Sequence, residues 1–234
     1  MIASETPGSV SVIIPAYNAA AYIAEALASV YIQDSQPLDV IVVDDGSSDG
    51  SLAIAQACFP TIRSIRQDNA GIGAARNRGV AIARGEYLAF LDADDRWPAG
   101  RLQWMVDALA ESKRPAMAFG QVRHFLCPSL TEEAKRRLHC PSGTAPGFSA
   151  AAMLIRHGDF LRVGSFEEDL RVGEFISWFA RARDCGLAQV MVEQVVLERR
   201  IHESNHTLRQ RPFFGDYARM LKRTLDRRRS QAEP

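Results

Sequence analysis

Two short apolar runs in the first hundred residues each end abruptly in adjacent acids, and no other feature restricts the fold as much. Asp39 to Val43 stops at Asp44-Asp45-Gly46, and Tyr87 to Leu91 runs straight into Asp92-Ala93-Asp94-Asp95. Apolar runs of this length, bounded by turn residues, read as buried strands. Val10 to Ile14, ended by Pro15, is another, and Arg63 to Ile65 a shorter one. Helical spacing lies between them. Ile23, Leu27, Val30 and Tyr31 share a face over Ala20 to Gln33, and an Ala-rich stretch runs from Gly73 to Arg84 with Gly85 as its stop. Ser47, Ser48 and Asp49 supply N-cap chemistry for a helix reaching about Phe59. Strand and helix alternate four times, which predicts a parallel sheet with helices on its faces. Ligands of such sheets bind beyond the carboxyl ends of the strands. Both acidic clusters fall there.

The chain has 234 residues, enough for one large α/β domain. Lys plus Arg and Asp plus Glu balance at 28 each, so the whole molecule has no general attraction for nucleic acid. Cys58, Cys127, Cys140 and Cys185 form no close pair, and a domain of this size folds without disulfides. Thiols in a reducing compartment are expected. No charged segment followed by an apolar one opens the chain, and no apolar run approaches the roughly 20 residues of a membrane-spanning helix. The expectation is a soluble cytoplasmic protein. The stretch from Arg209 to Arg229 is strongly basic, and Phe213 to Arg229 fits an amphipathic helix. It offers a peripheral contact to an anionic membrane, a contact to a partner, or a solvated end, the last being the first reading. Between these regions, Arg123 to Gly147 reads as a loop rich in Pro and Gly. Glu174 to Cys185 reads as a helix stopped by Gly186, and Val195 to Ile201 as a last strand.

The chemistry follows from the acids. Strand residues alternate faces, so Asp92 and Asp94 point to the same side if the extended form persists. Two carboxylates side by side repel unless a cation lies between them. A hard ion such as Mg²⁺ or Mn²⁺ takes oxygen ligands and leaves positions for phosphates. The alternative is a helix N-terminus, where acids are favoured by the dipole. Asp44 or Asp45 can accept from a ribose hydroxyl or a base N–H, whereas Asp49 fits a cap. Arg76, beside Asn77, can pair with a diphosphate or with the neighbouring acids. His202 follows the last strand and is a candidate metal or phosphate ligand. The chain lacks a G-x-x-x-x-G-K-[ST] loop.

Taken together, these strings resemble the inverting family-two glycosyltransferases of the GT-A (nucleotide-diphospho-sugar transferase) fold, an α/β fold with a mostly parallel central sheet flanked by helices. Ser11 to Asn18 resembles that family's opening strand, and Val43 to Asp49 its nucleoside-binding turn. Asn69 with Ala75-Arg76-Asn77 resembles its third motif, and Phe90 to Asp95 its D-x-D metal site. The second half matches more loosely, through Gly164-Ser165-Phe166 and Arg200 to Asn205.

The resemblance implies a single domain over 1–234. Residues of about 8–120 would bind the nucleotide sugar, about 121–207 the acceptor, and 208–234 would form the basic helical tail. Pro15, Ala16 and Tyr17 would line the nucleotide pocket, with Asp44 and Asn69 beside it. Asp45 would hold the base and Arg76 would contact the nucleotide. Asp92 would position the donor, Asp94 would bind Mn²⁺ or Mg²⁺, and His202 matches a position near the diphosphate. The implied reaction moves a hexosyl or N-acetylhexosaminyl group from a donor, UDP-linked in this reading, to an acceptor hydroxyl with inversion. One position departs from the pattern. Many members carry Glu-Asp at the start of a late helix, the aspartate being the base, and here the pair is Glu174-Phe175. Glu174 is then the candidate base, and a nucleotide-sugar-binding regulatory protein without turnover is the alternative. A nucleotidyltransferase would need a Gly-rich triphosphate loop near the first strand, and Pro15 to Asn18 is not one.

Overall fold

The structure, a computed structural model, describes residues 8–112, 114, 116–205 and 214–232. Eight strands form one mixed sheet: β1 (Val10–Ala16), β2 (Asp39–Asp44), β3 (Arg63–Arg66), β4 (Tyr87–Phe90), β5 (Ala116–Leu126), β6 (Thr144–Pro146), β7 (Leu154–Arg156) and β8 (Ala188–Ile201). The helices are α1 (Ile23–Tyr31), α2 (Ser51–Cys58), α3 (Ile72–Val80), α4 (Arg101–Glu111), α5 (Glu132–Arg137), α6 (His157–Val163), α7 (Glu174–Asp184) and α8 (Phe214–Ala232).

The strand order is β3-β2-β1-β4-β7-β5-β6, with β8 paired to β5. The first four strands are mutually parallel, as the alternation of strand and helix predicts. Beyond β4 the sheet turns mixed, because β7 pairs antiparallel with both β4 and β5. Both faces are covered. Val12 and Ile14 pack with Ile23, Leu27 and Leu102 on one side. Ile13, Ile41 and Val43 pack with Ala75, Phe160 and Trp178 on the other. Alternation along β1 therefore feeds two cores, which is why its run reads as continuously apolar.

Several local expectations are corrected. Arg123 to Gly147 is not one loop. β5 continues to Leu126, Thr131 caps α5 by accepting the Ala134 N–H at 3.2 Å, and β6 closes the segment. β8 begins at Ala188 rather than Val195, and Ala188, Val190 and Val192 pack against the core between more exposed neighbours. That period of two was present in the sequence. α2 starts only at Ser51, after Gly50 at φ +83°, so Ser47 and Ser48 do not cap it, whereas Asp49 accepts the N–H of Ser51 in its first turn at 3.0 Å. The same segment also stitches the loop after β1. Ser47 accepts the Asn18 N–H at 3.0 Å, Ser51 accepts Ala19 N–H at 2.8 Å and Asp49 accepts Ala20 N–H at 2.9 Å. Gly85 is no helix stop either, since α3 ends at Val80. It is small because a Cβ would lie 2.5 Å from the Ser11 nitrogen of β1. In the basic tail the helix is described from Phe214. Phe213, Arg209 and Arg211 lie outside the described residues.

Candidate functional site

The carboxyl ends of β1, β2 and β4 lie side by side, with Ala16 opposite Asp44 and Ile13 opposite Phe90. Loops leaving these ends carry most of the residues the sequence singles out. Pro15 and Ala16 are buried at the end of β1, and Tyr17 just beyond them is 47% exposed. Asp44 is buried and turns into its own loop, accepting the Ser47 N–H at 3.0 Å with Arg66 3.6 Å away. Asp45, next in the chain, gathers the loop after β3. Its carboxylate accepts from Gln67 Nε2 at 2.8 Å, Ala70 N–H at 2.8 Å and Gly71 N–H at 2.9 Å. Asn69 sits exposed in that same loop. Gly46 permits the approach, for at φ +80° a Cβ there would stand 3.0 Å from the Asn69 nitrogen.

α3 brings Arg76 under the cleft, where it is 3% exposed. Nη2 donates to Asp92 Oδ1 at 2.8 Å and Nη1 donates to Glu174 Oε1 at 2.7 Å. Burial alone would lower the guanidinium's proton affinity. The charges and hydrogen bonds of Asp92 and Glu174 outweigh that and raise it. The fork of Arg76 thus joins α3, the end of β4 and the first turn of α7. Asn77 holds the adjoining loop in both directions, donating to Phe166 O at 2.9 Å and accepting its N–H at 3.0 Å. Phe175 turns inward beside Phe119, Trp178 and Phe179. At the position where the resemblance implies an acid, this chain has a core side chain.

Asp94 faces the opposite wall. Its Oδ2 lies 3.0 Å from His202 Nε2, while His202 Nδ1 is 2.7 Å from Ser204 Oγ and the ring rests on Tyr22 at 4.6 Å. Asp92 and Asp94 therefore serve different partners, because the strand ends at Phe90 and the strict alternation of faces ends with it. Among the described residues no three His, Cys, Asp or Glu side chains converge as a metal cluster. Asp94 and His202 are a pair of adjacent donors.

Arg200 is the residue the sequence reading undervalued. It is 2% exposed, with Nε donating to the Asp94 carbonyl at 2.9 Å and Nη2 to Glu25 at 2.6 Å. Its backbone N–H donates to Asp95 Oδ1 at 2.8 Å. Asp95 is pushed well above the usual carboxylate range by burial first and then by the charges of Asp94 and Asp92. The end of β8 thus clamps the acidic loop after β4. The doubled arginine beside Glu198 at the end of the strand was the available signal.

Comparison with known proteins bears on the family and the fold. The family model described as Glycosyl transferase family 2 matches residues 11–170. The succinoglycan biosynthesis protein ExoO of Rhizobium meliloti is 33% identical over 195 residues, covering 76% of this chain and 56% of that protein. An uncharacterized glycosyltransferase of Escherichia coli K12, YibD, is 44% identical over 88 residues, or 36% of this chain and 26% of that one. Alignment to these relatives thus spans between about a quarter and somewhat over half of their length. In structure, S. aureus TarS 1–349, solved with UDP and also with UDP-GlcNAc, superposes with a TM-score of 0.66 in the UDP form. That match covers 82% of this chain and 60% of TarS at 21% identity, a likeness of fold. With its family match running from β1 through α6, the chain belongs to glycosyl transferase family 2.

Proposed function

We propose that this chain transfers a hexosyl or N-acetylhexosaminyl group from a uridine diphosphate donor to an acceptor hydroxyl, inverting the anomeric centre with the help of Mn²⁺ or Mg²⁺. The observation that carries the reading is the Asp94–His202 pair at the end of β4, 3.0 Å apart. Neighbouring ligands on an octahedral ion with bonds of about 2.0–2.1 Å stand roughly 3 Å from each other. An oxygen and a ring nitrogen at that spacing fit two adjacent positions. Asp94 is also about one-third open, which leaves room for phosphate oxygens. When bound, the ion would supply Lewis-acid neutralisation of the departing diphosphate.

The remaining roles belong to the chain itself. Tyr17 presents an exposed ring at the mouth, suited to the base. An ionised carboxylate has about four acceptor positions. Asp45 spends three on its loop and keeps one for a base N–H. Asp92, held by Arg76, orients the donor. Glu174, held by the other arm of Arg76, takes the acceptor proton. In this division the donor occupies the half up to about residue 120 and the acceptor the half from about 121 to 207. UDP and UDP-GlcNAc in the TarS structures support a uridine donor. Four unpaired cysteines suit a reducing, cytoplasmic setting, and no helix among the described residues is long and apolar enough to cross a membrane.

Incubation with UDP-glucose, UDP-galactose, UDP-GlcNAc and UDP-GalNAc in Mn²⁺, with and without simple acceptors, tests the reading through release of UDP. Release from at least one donor, abolished by EDTA, is expected. Tight UDP binding with no release from any donor would favour the alternative, a nucleotide-sugar-binding regulatory protein.

A further inference from the structure

α8 has one face committed to the body of the protein and one committed to nothing described. On the inner face, Asp216 accepts the N–H groups of Arg171 at 2.8 Å and Val172 at 3.4 Å. Arg223 grips Asp169 through both nitrogens, at 2.9 and 2.6 Å. Tyr217 and Met220 close over Gly173, where a Cβ would stand 3.4 Å from the Met220 sulfur. These contacts fall on the segment that leads into Glu174, so α8 is fixed beside the acceptor side of the cleft.

The outer face has a different composition. At 100° per residue, Ala218, Leu221, Lys222, Leu225 and Arg229 lie within an arc of about 100°. All five are exposed, and Leu221 and Leu225, one turn apart, are 57% and 46% exposed. Ile176 in the first turn of α7, three residues from the Gly173 contact, is 48% exposed as well. The helix carries Arg219, Lys222, Arg223, Arg227, Arg228 and Arg229 against Asp216 and Asp226, while acids and bases of the whole chain balance. Arg219 and Arg223 are spent on Asp216 and Asp169. Lys222 and Arg229 stand beside the exposed leucines.

We infer that this face of α8 docks on an anionic phospholipid surface. Leucines set among cations on the outer face of a helix whose inner face is held by the protein match what such an interface takes up. The side chains enter the headgroup boundary while the cations meet lipid phosphates. A second protein could use the leucines, but only an acidic surface answers the cations, and a bilayer of anionic lipid offers both at once. Docking through α8 keeps Glu174, on the helix beside which α8 packs, near the bilayer, so the acceptor is a hydroxyl carried on a membrane lipid. That last step rests on the glycosyl-transfer reading. The docking does not.

Sedimentation of the full chain with vesicles of phosphatidylcholine, with and without phosphatidylglycerol, is the test. Binding only to the anionic vesicles, released by high salt, is expected. Replacing both leucines (Leu221→Ser with Leu225→Ser) should lower the bound fraction at least about tenfold, and Lys222→Glu with Arg229→Glu should do the same. Melting temperature and UDP affinity should stay unchanged in both, which separates lost docking from lost folding. No binding to either vesicle, equal binding to both, or variants that bind like the parent protein would each overturn the inference. So would a lipid-free dimer, seen by ultracentrifugation, that the leucine changes dissociate. UDP binding is read separately, so docking and sugar transfer can fail independently.

Discussion

Arg76 Nη1 lies 2.7 Å from Glu174 Oε1 in a buried ion pair that joins residues 98 positions apart in the chain. The same guanidinium reaches Asp92, so one cation sets the position of two carboxylates, one just beyond β4 and one in the first turn of α7. Removing one partner of a buried pair leaves an uncompensated charge, at a cost of about 3–5 kcal/mol. Arg76→Met should therefore lower unfolding stability by about that amount, read by urea titration. Arg76→Lys keeps the charge but cannot fork, and should fold while losing donor affinity. Unchanged stability in Arg76→Met would remove the pair from its central place.

Glu174 is the proposed base, and Gln preserves its size and its hydrogen bond from Arg76. Glu174→Gln should lower turnover about 10² to 10⁴-fold with UDP affinity unchanged. A loss confined to UDP affinity would make Glu174 a support for Arg76 and nothing more. Full retained turnover would move the base elsewhere, with Glu167, Glu168 and Asp169 next in line.

Gly73 is an inconspicuous position with a sharp requirement. A Cβ there would meet the Glu167 carbonyl oxygen at 2.6 Å and approach the Glu174 side chain at 3.6 Å. The loop after α6 sits directly on α3. Gly73→Ala should destabilise by about 1–3 kcal/mol through overpacking, despite the better helix propensity of alanine. It should also reduce turnover by displacing Glu174. A stabilised protein would contradict the close approach.

Particular residues show how far the sequence could be read. The parallel half was legible because Val10 to Ile14 and Asp39 to Val43 are apolar on both faces and end at turn residues. The acidic clusters marked the strand ends for the same reason. Pairings across long separations were not legible. Arg200 to the Asp94 carbonyl spans 106 positions, and no local period predicts it. The antiparallel turn of the sheet depends on β7, three residues long, whose neighbours are chosen by tertiary packing. Ser47 and Ser48 looked like caps because the same side chains that cap a helix also tie one loop to another. The direction of Phe175 followed from core packing, which the helical pattern permitted without requiring.

Acid sensitivity should concentrate where β8 meets α1. For Glu25 and Glu198 burial alone would raise the carboxyl pKa. Hydrogen bonds from Arg96 to both, from Arg200 to Glu25 and from Arg123 to Glu198 outweigh it and hold both below the ordinary value. A depressed carboxyl contributes stability that is fully present above its unfolded pKa and lost as pH falls through its folded one. The melting temperature should therefore begin to fall near pH 4.3, about the unfolded value, and continue downward. Glu198→Gln should flatten part of that slope, and an unchanged acid profile in the variant would count against the cluster.

The reading turns on Asp94 and His202 holding a divalent ion against the donor diphosphate. Calorimetric titration with UDP, in Mn²⁺ and in EDTA, measures this directly for the unmodified protein, Asp94→Ala and His202→Ala. The unmodified protein should bind UDP more than about tenfold tighter in Mn²⁺. Asp94→Ala should erase the difference while keeping the EDTA affinity, and His202→Ala should reduce it. Equal UDP affinity in Mn²⁺ and EDTA for the unmodified protein would contradict the account.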